Sequence, residues 1–196
     1  MTFQALLGIV SGILALGAYP IYIHGIFRGS VRPNRATWWI LALASTILAA
    51  SYFAEGARNT MWVALAYVLG NLAIAILSVK YGDGEWSALD KLCLFAALAS
   101  AALWVVLDEP FIALMVNIGI DFIGIVPTIY KSYRKPHTES RPAWSIDVVA
   151  GVLALLAIET PTFSIIIYPA YLTLVNSIIA ALIFKDRHTR RSNIRV

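Results

Sequence analysis

The chain has 196 residues, of which 60% are hydrophobic and only 13% charged, about half the charged share of a typical soluble domain. With a mean hydropathy of +0.76, this composition excludes an ordinary soluble fold. It excludes disorder as well, which needs low hydrophobicity and high net charge. The net charge of +4 is not read as a nucleic-acid surface, because basic residues in a membrane protein mainly report its orientation.

A helix needs about 20 apolar residues to cross the hydrocarbon core of a bilayer. Taken in order, the apolar runs predict spans at 3–27, 37–54, 60–79, 88–107, 110–130, 143–158 and 162–184. The expected fold class is therefore all-α, a polytopic membrane protein with seven transmembrane helices. The first run has no basic residue before it and no small-residue cleavage site, so it is read as a retained span rather than a secretory signal. With the N-terminus outside, all 15 basic residues except Arg58 fall on inner segments, while Glu55, Asp108, Glu109 and Glu159 fall in outer loops. The positive-inside rule then predicts a cytoplasmic C-terminus. Cys93 is the single cysteine; it cannot form an intrachain disulfide or a metal cluster. His24, His137 and His188 have no partners at metal-ligand spacing. No metal and no cofactor are expected, and no hydrolase, metalloprotease or nucleotide-binding motif points to an enzyme.

The sequence echoes itself. Tyr19-Pro20-Ile21-Tyr22, Arg28 and Arg35 to Trp38 correspond to Val126 to Tyr130, Arg134 and Arg141 to Trp144. Glu55 answers to Glu159 and Asn71 to Asn176, all at offsets between 104 and 107 residues. Each copy holds three spans, so the second copy would be inverted if it followed directly. The fourth span returns the chain to the outer face, and both copies then run in the same sense, a 3+1+3 parallel-repeat arrangement of a kind used by transporters. The expected organisation is a first three-helix repeat at 1–81, a linker helix at 82–108, a second repeat at 109–185 and a basic cytoplasmic tail at 186–196.

This arrangement resembles the PQ-loop superfamily, and within it the SWEET sugar transporters and their half-sized SemiSWEET relatives. The likeness rests on the seven spans, the linker helix and the stretches Tyr19 to Arg35 and Val126 to Trp144, each with a proline, a short basic loop and a following helix. The glutamine that gives the family its name is replaced by Ile21 and Thr128. The resemblance implies alternating access around a midplane pocket lined by Asn71 and Asn176, with Ser51 at the place of a second-helix pocket residue.

Polar groups at membrane depth usually face a bundle interior or a water-filled cavity. Asn71 and Asn176 lie halfway along the third helix of each repeat, and an amide offers two donors and an acceptor. Asp121 is read as the only carboxylate near the middle of a span, with Asn117 one turn earlier and so on the same face. The first repeat has no carboxylate at the matching place, near Leu14. Proton coupling or recognition of a basic group on the solute would both use Asp121, and a structural role remains beside them. Pro20 and Pro127 each remove a backbone hydrogen bond and are candidate hinges.

The function expected is a membrane transporter moving a small polar solute, a sugar among the candidates. The alternatives are a proton-coupled carrier of amino-acid-like or vitamin-like solutes, and a non-transporting receptor or assembly protein on the same fold. Expected partners are the solute, the lipid bilayer and, as an option the fold allows, further copies of the chain in a homo-oligomer.

Overall fold

The computed structural model describes residues 2–33, 35–82, 86, 88–134, 136 and 139–193, except the side chains at 89, 90, 93, 127, 131 and 186–193. Seven helices follow one another: α1 (Phe3–Phe27), α2 (Arg35–Ala54), α3 (Met61–Tyr81), α4 (Ala88–Leu107), α5 (Pro110–Arg134), α6 (Arg141–Leu156) and α7 (Phe163–Asn193). No strand occurs among the described residues. Local chemistry sets several ends. The first N–H groups of a helix lack partners within it. Thr2 receives the Ala5 amide at 3.1 Å and Ser140 receives that of Ala143 at 3.4 Å, which starts α1 and α6.

Five helices are long and apolar enough to cross a membrane, namely α1, α2, α3, α5 and the Phe163–Lys185 part of α7. The chain is a multi-pass membrane protein. The other two expected spans are shorter. The apolar part of α4 is Leu94–Leu107, and α6 has 16 residues, about 24 Å at 1.5 Å per residue against a hydrocarbon core of about 30 Å.

The helices pack as a closed ring. α1 touches α3, α3 touches α2, α2 touches α5, α5 touches α7, α7 touches α6, and α6 returns to α1. α4 lies outside, against α5 and α2. Large apolar side chains point away from the ring, including Ile13, Leu69, Ile76 and Leu174, with Val105 82% and Val106 77% exposed. Soluble monomers do not leave apolar surface of that extent to water, whereas lipid solvates it. Ser45, Asn71, Asn117 and Asn176 are buried instead. The polarity of a soluble protein is inverted.

Close approach of α1 to α3 depends on small residues, as helix pairs in lipid generally do. A Cβ on Gly12 would meet Cβ of Trp62 at 2.6 Å and its carbonyl oxygen at 2.8 Å, whereas one on Gly17 would meet nothing within 4 Å. Gly12→Ala is expected to cost about 1–3 kcal/mol through overpacking. Gly17→Ala should hold or slightly raise stability, since a helix interior favours Ala over Gly by about 0.5–1 kcal/mol. Thermal unfolding of the two variants in detergent checks both signs.

Candidate functional site

Every helix of the ring contributes to one cavity at its centre, and α4 contributes no described lining residue. The centre of a water-sized sphere has about 80 Å³ of room there, several times the roughly 10–15 Å³ that one ordered water needs on that measure. The space suits a small solute rather than a single water.

One wall is built from α1, α2 and α3. Asn71 lies midway along α3 and ties the three together. Its Oδ1 accepts the Tyr19 hydroxyl at 2.9 Å, and its Nδ2 donates to Ser45 Oγ at 3.3 Å. Gly70 beside it makes room for the Tyr19 ring, which any Cβ at that position would overlap. Tyr19 meets the ring of Tyr67 edge-on, with centroids 6.2 Å apart.

The facing wall, from α5, α6 and α7, carries the charge. Asp121 Oδ2 accepts the Tyr171 hydroxyl at 2.5 Å, joining α5 to α7. Asp147, on α6, faces the same cavity. Its Oδ1 is buried without a hydrogen-bond partner, and the Tyr67 hydroxyl lies against its carboxyl. Asn176 reaches across from α7 and donates to the Tyr67 hydroxyl at 2.8 Å. Trp38 and Trp144 complete the aromatic lining.

The cavity is one-sided. Its lining positions run from mid-bundle toward the end where α1 and α5 finish and α2 and α6 begin. At the other end a core that includes Leu48, Tyr52, Leu114, Ile165, Tyr168 and Leu172 fills the ring. There the Tyr52 hydroxyl donates to the Ile165 carbonyl at 2.7 Å and pairs with the Thr60 hydroxyl at 2.8 Å.

Of the residues singled out from the sequence, Asn71, Asn176 and Asp121 meet at this cavity. Ser51 does not. It is wholly buried one turn beyond Leu48, and its hydroxyl is spent on the carbonyls of Ile47 and Leu48, both at 3.0 Å; Ser45 takes the polar place on α2. Asn117 also lies elsewhere. Four residues advance a helix by slightly more than one turn, and that offset turns Asn117 toward α4, where its Nδ2 donates to Ser100 Oγ at 2.7 Å and to Ala113 O at 2.8 Å. Pro20 sits inside the continuous α1; the side chain of Pro127, like that of Cys93, lies outside the described residues.

Asp147 corrects the expectation of a single carboxylate at depth. It lies in the predicted span 143–158, near the start of the short α6, and is not among the candidates named from the sequence. The available signal was its spacing from Ala143 and Trp144, which puts all three on one helical face. No family model, no curated protein and no solved structure matches this chain.

Removing either partner of the Tyr19–Asn71 bond strands a buried polar group, at a cost of about 1–3 kcal/mol. Tyr19→Phe and Asn71→Ala are therefore expected to be non-additive by about 0.5–3 kcal/mol in a double-mutant cycle, read by unfolding in detergent. Additive losses would mean that the bond contributes nothing.

Proposed function

We propose that the protein is a membrane transporter that moves a small polar solute by alternating access around this cavity. The fold proposed is SWEET-like: seven spans, α4 and α6 included, in a 3+1+3 parallel repeat, with the N-terminus outside and the C-terminus cytoplasmic. The observation that carries the reading is a one-sided cavity at the junction of two like bundles. A carrier needs a central site reached from one face at a time, and repeat transporters put that site at the repeat interface near mid-membrane.

The likeness of the bundles is supported by their contacts. α1 on α3 matches α5 on α7, α2 on α3 matches α6 on α7, and α1 on α6 matches α5 on α2. Arg35 donates from Nε to Ser78 O at 3.1 Å, and Arg141 donates from Nη2 to Ile183 O at 3.2 Å, so an arginine at the start of the second helix holds the later part of the third in both. The pairs Trp38 and Trp144, Tyr67 and Tyr171, and Asn71 and Asn176 all line the cavity.

The bundles also differ in a way that bears on the solute. At the repeat offset, Asp121 and Asp147 correspond to Leu14 and Leu41, and Ser45 corresponds to Gly151. Asn71 therefore finds a partner within its own bundle, whereas the place matching Ser45 in the second bundle holds Gly151 and Asn176 reaches across to Tyr67. The two carboxylates are additions to the repeat, and they favour a second reading: a proton-coupled carrier of amino-acid-like or vitamin-like solutes.

Uptake into proteoliposomes tests both. Labelled sugars and amino acids, with and without an imposed pH gradient, are expected to include at least one that enters faster than into protein-free vesicles. Solute binding without uptake would make the protein a receptor on this fold. With a transported solute in hand, Asp121→Asn should keep binding and lose the response to the gradient if Asp121 couples protons. Continued response removes it from that role. Reporters at Met1 and Val196 are expected on opposite faces of the membrane, and finding them on one face would end the seven-span topology.

A further inference from the structure

Deepening the transport reading, and resting on it for the purpose of the cavity, we infer that the solute carries a protonated amino group and that Asp147, with Asp121, receives it. The first ground is charge. Two carboxylates face one small cavity, and no lysine, arginine or histidine is among its described lining residues. No described lining residue neutralises them as a cationic ligand would.

The second ground is the hydrogen-bond inventory. Several donors facing the cavity are committed to protein acceptors, namely the Tyr19 hydroxyl to Asn71, the Tyr171 hydroxyl to Asp121, the Asn71 amide to Ser45 and the Asn176 amide to Tyr67. The Tyr67 hydroxyl lies against Asp147, and the Tyr168 hydroxyl and Trp38 indole N–H add donors to the lining. The Trp144 indole N–H is spent on Glu139 Oε2 at 3.0 Å. On the other side of the ledger, Asp147 Oδ1 is buried with no partner, and Tyr171 occupies only one oxygen of Asp121. A buried acceptor without a partner asks for a donor. Carboxylate oxygens left open on Asp147 and Asp121 fit a ligand that donates, and an ammonium group has three donors.

The third ground is the surface around those oxygens. Tyr19, Tyr67, Tyr168, Tyr171, Trp38 and Trp144 present aromatic rings to the cavity, and aromatic faces attract cations through their quadrupole. Carboxylates framed by aromatic rings suit a small organic amine with a short apolar stem better than an inorganic cation, which would seek a shell of oxygen ligands.

Isothermal titration of the full chain in detergent tests this. The probes are ethanolamine, propylamine and agmatine, each beside an uncharged counterpart of the same shape, with glucose added. At least one amine is expected to bind ten times more tightly than its counterpart or more, and Asp147→Asn should abolish that preference. Asp147→Glu, which keeps the charge, should retain it, and the comparison on the unmodified chain stands even if Asp147→Asn does not fold. Equal affinity within every pair, preference for the uncharged compounds or glucose, binding of none of the amines, or a preference that survives both Asp147→Asn and Asp121→Asn would each overturn the inference. Uptake of the same labelled compounds keeps the two readings apart. An amine that binds through Asp147 without crossing the membrane sinks transport and leaves the inference. Uptake of uncharged solutes that follows a pH gradient, with no amine preference, sinks the inference and assigns the carboxylates to protons.

Discussion

Hydrocarbon cannot hydrogen-bond, and the architecture follows from that. A charged aspartate at the centre of a membrane helix costs on the order of 2.5–3.5 kcal/mol on insertion scales, and amides and hydroxyls carry smaller penalties of the same origin. Among the described residues, Asp121, Asp147, Asn71 and Asn176 face the middle of a ring whose outer surface is apolar, and Asn117 is buried against α4. Their partners are tyrosines, serine and backbone carbonyls on neighbouring helices, so the groups that are expensive in lipid also join α1 to α3, α5 to α7 and α7 back to α3. The ring is held together by its polar interior as much as by its packing.

The two ends of the ring are built differently. At the closed end, α1 meets the start of α3 at a glycine contact, Tyr52 on α2 bonds the backbone of α7, and the Thr2 hydroxyl donates to Glu159 at 2.9 Å. The last two contacts link one bundle to the other across the far mouth of the cavity. At the opposite end the facing groups are aromatic rings and carboxylates around open space. In the alternating-access proposal, motion would release the first set and bring together the second, and the single Tyr52–Ile165 bond is an economical point of release.

The bundles divide the labour within the cavity. The first satisfies its own central amide and presents a neutral wall of tyrosine, tryptophan and serine. The second contributes both carboxylates, and its amide is satisfied only by crossing to the first. Charge on one side and a hydrogen bond spanning the gap make the geometry of the cavity sensitive to how the bundles sit against each other. That is the property the proposed carrier requires.

The helices were legible in the sequence because hydrophobic run length and turn residues are local signals. Six of the seven predicted ranges lie within a few residues of the helices, and α7 alone runs further, to Asn193. The depth of Asn71, Asn176 and Asp121 was legible for the same reason, since position along an apolar run is position along the helix. Direction around the helix was not. Asn117 and Asp121 share a face to within part of a turn, and only the placement of α4 against α5 sends one to Ser100 and leaves the other on the cavity. Ser51 was placed by counting from Pro20, yet a serine can always satisfy itself on the preceding turn of its own helix, and packing one turn nearer the cavity gave the site to Ser45. Asp147 lies near the start of the short α6, and the approach of α1, α3 and α7 made that part of the helix cavity wall. The sequence by itself therefore determined how many helices form and how deep each polar group lies, because both depend on neighbours along the chain. Which of those groups meet was decided by the tertiary structure, because meeting depends on rotation and contact between helices far apart in sequence.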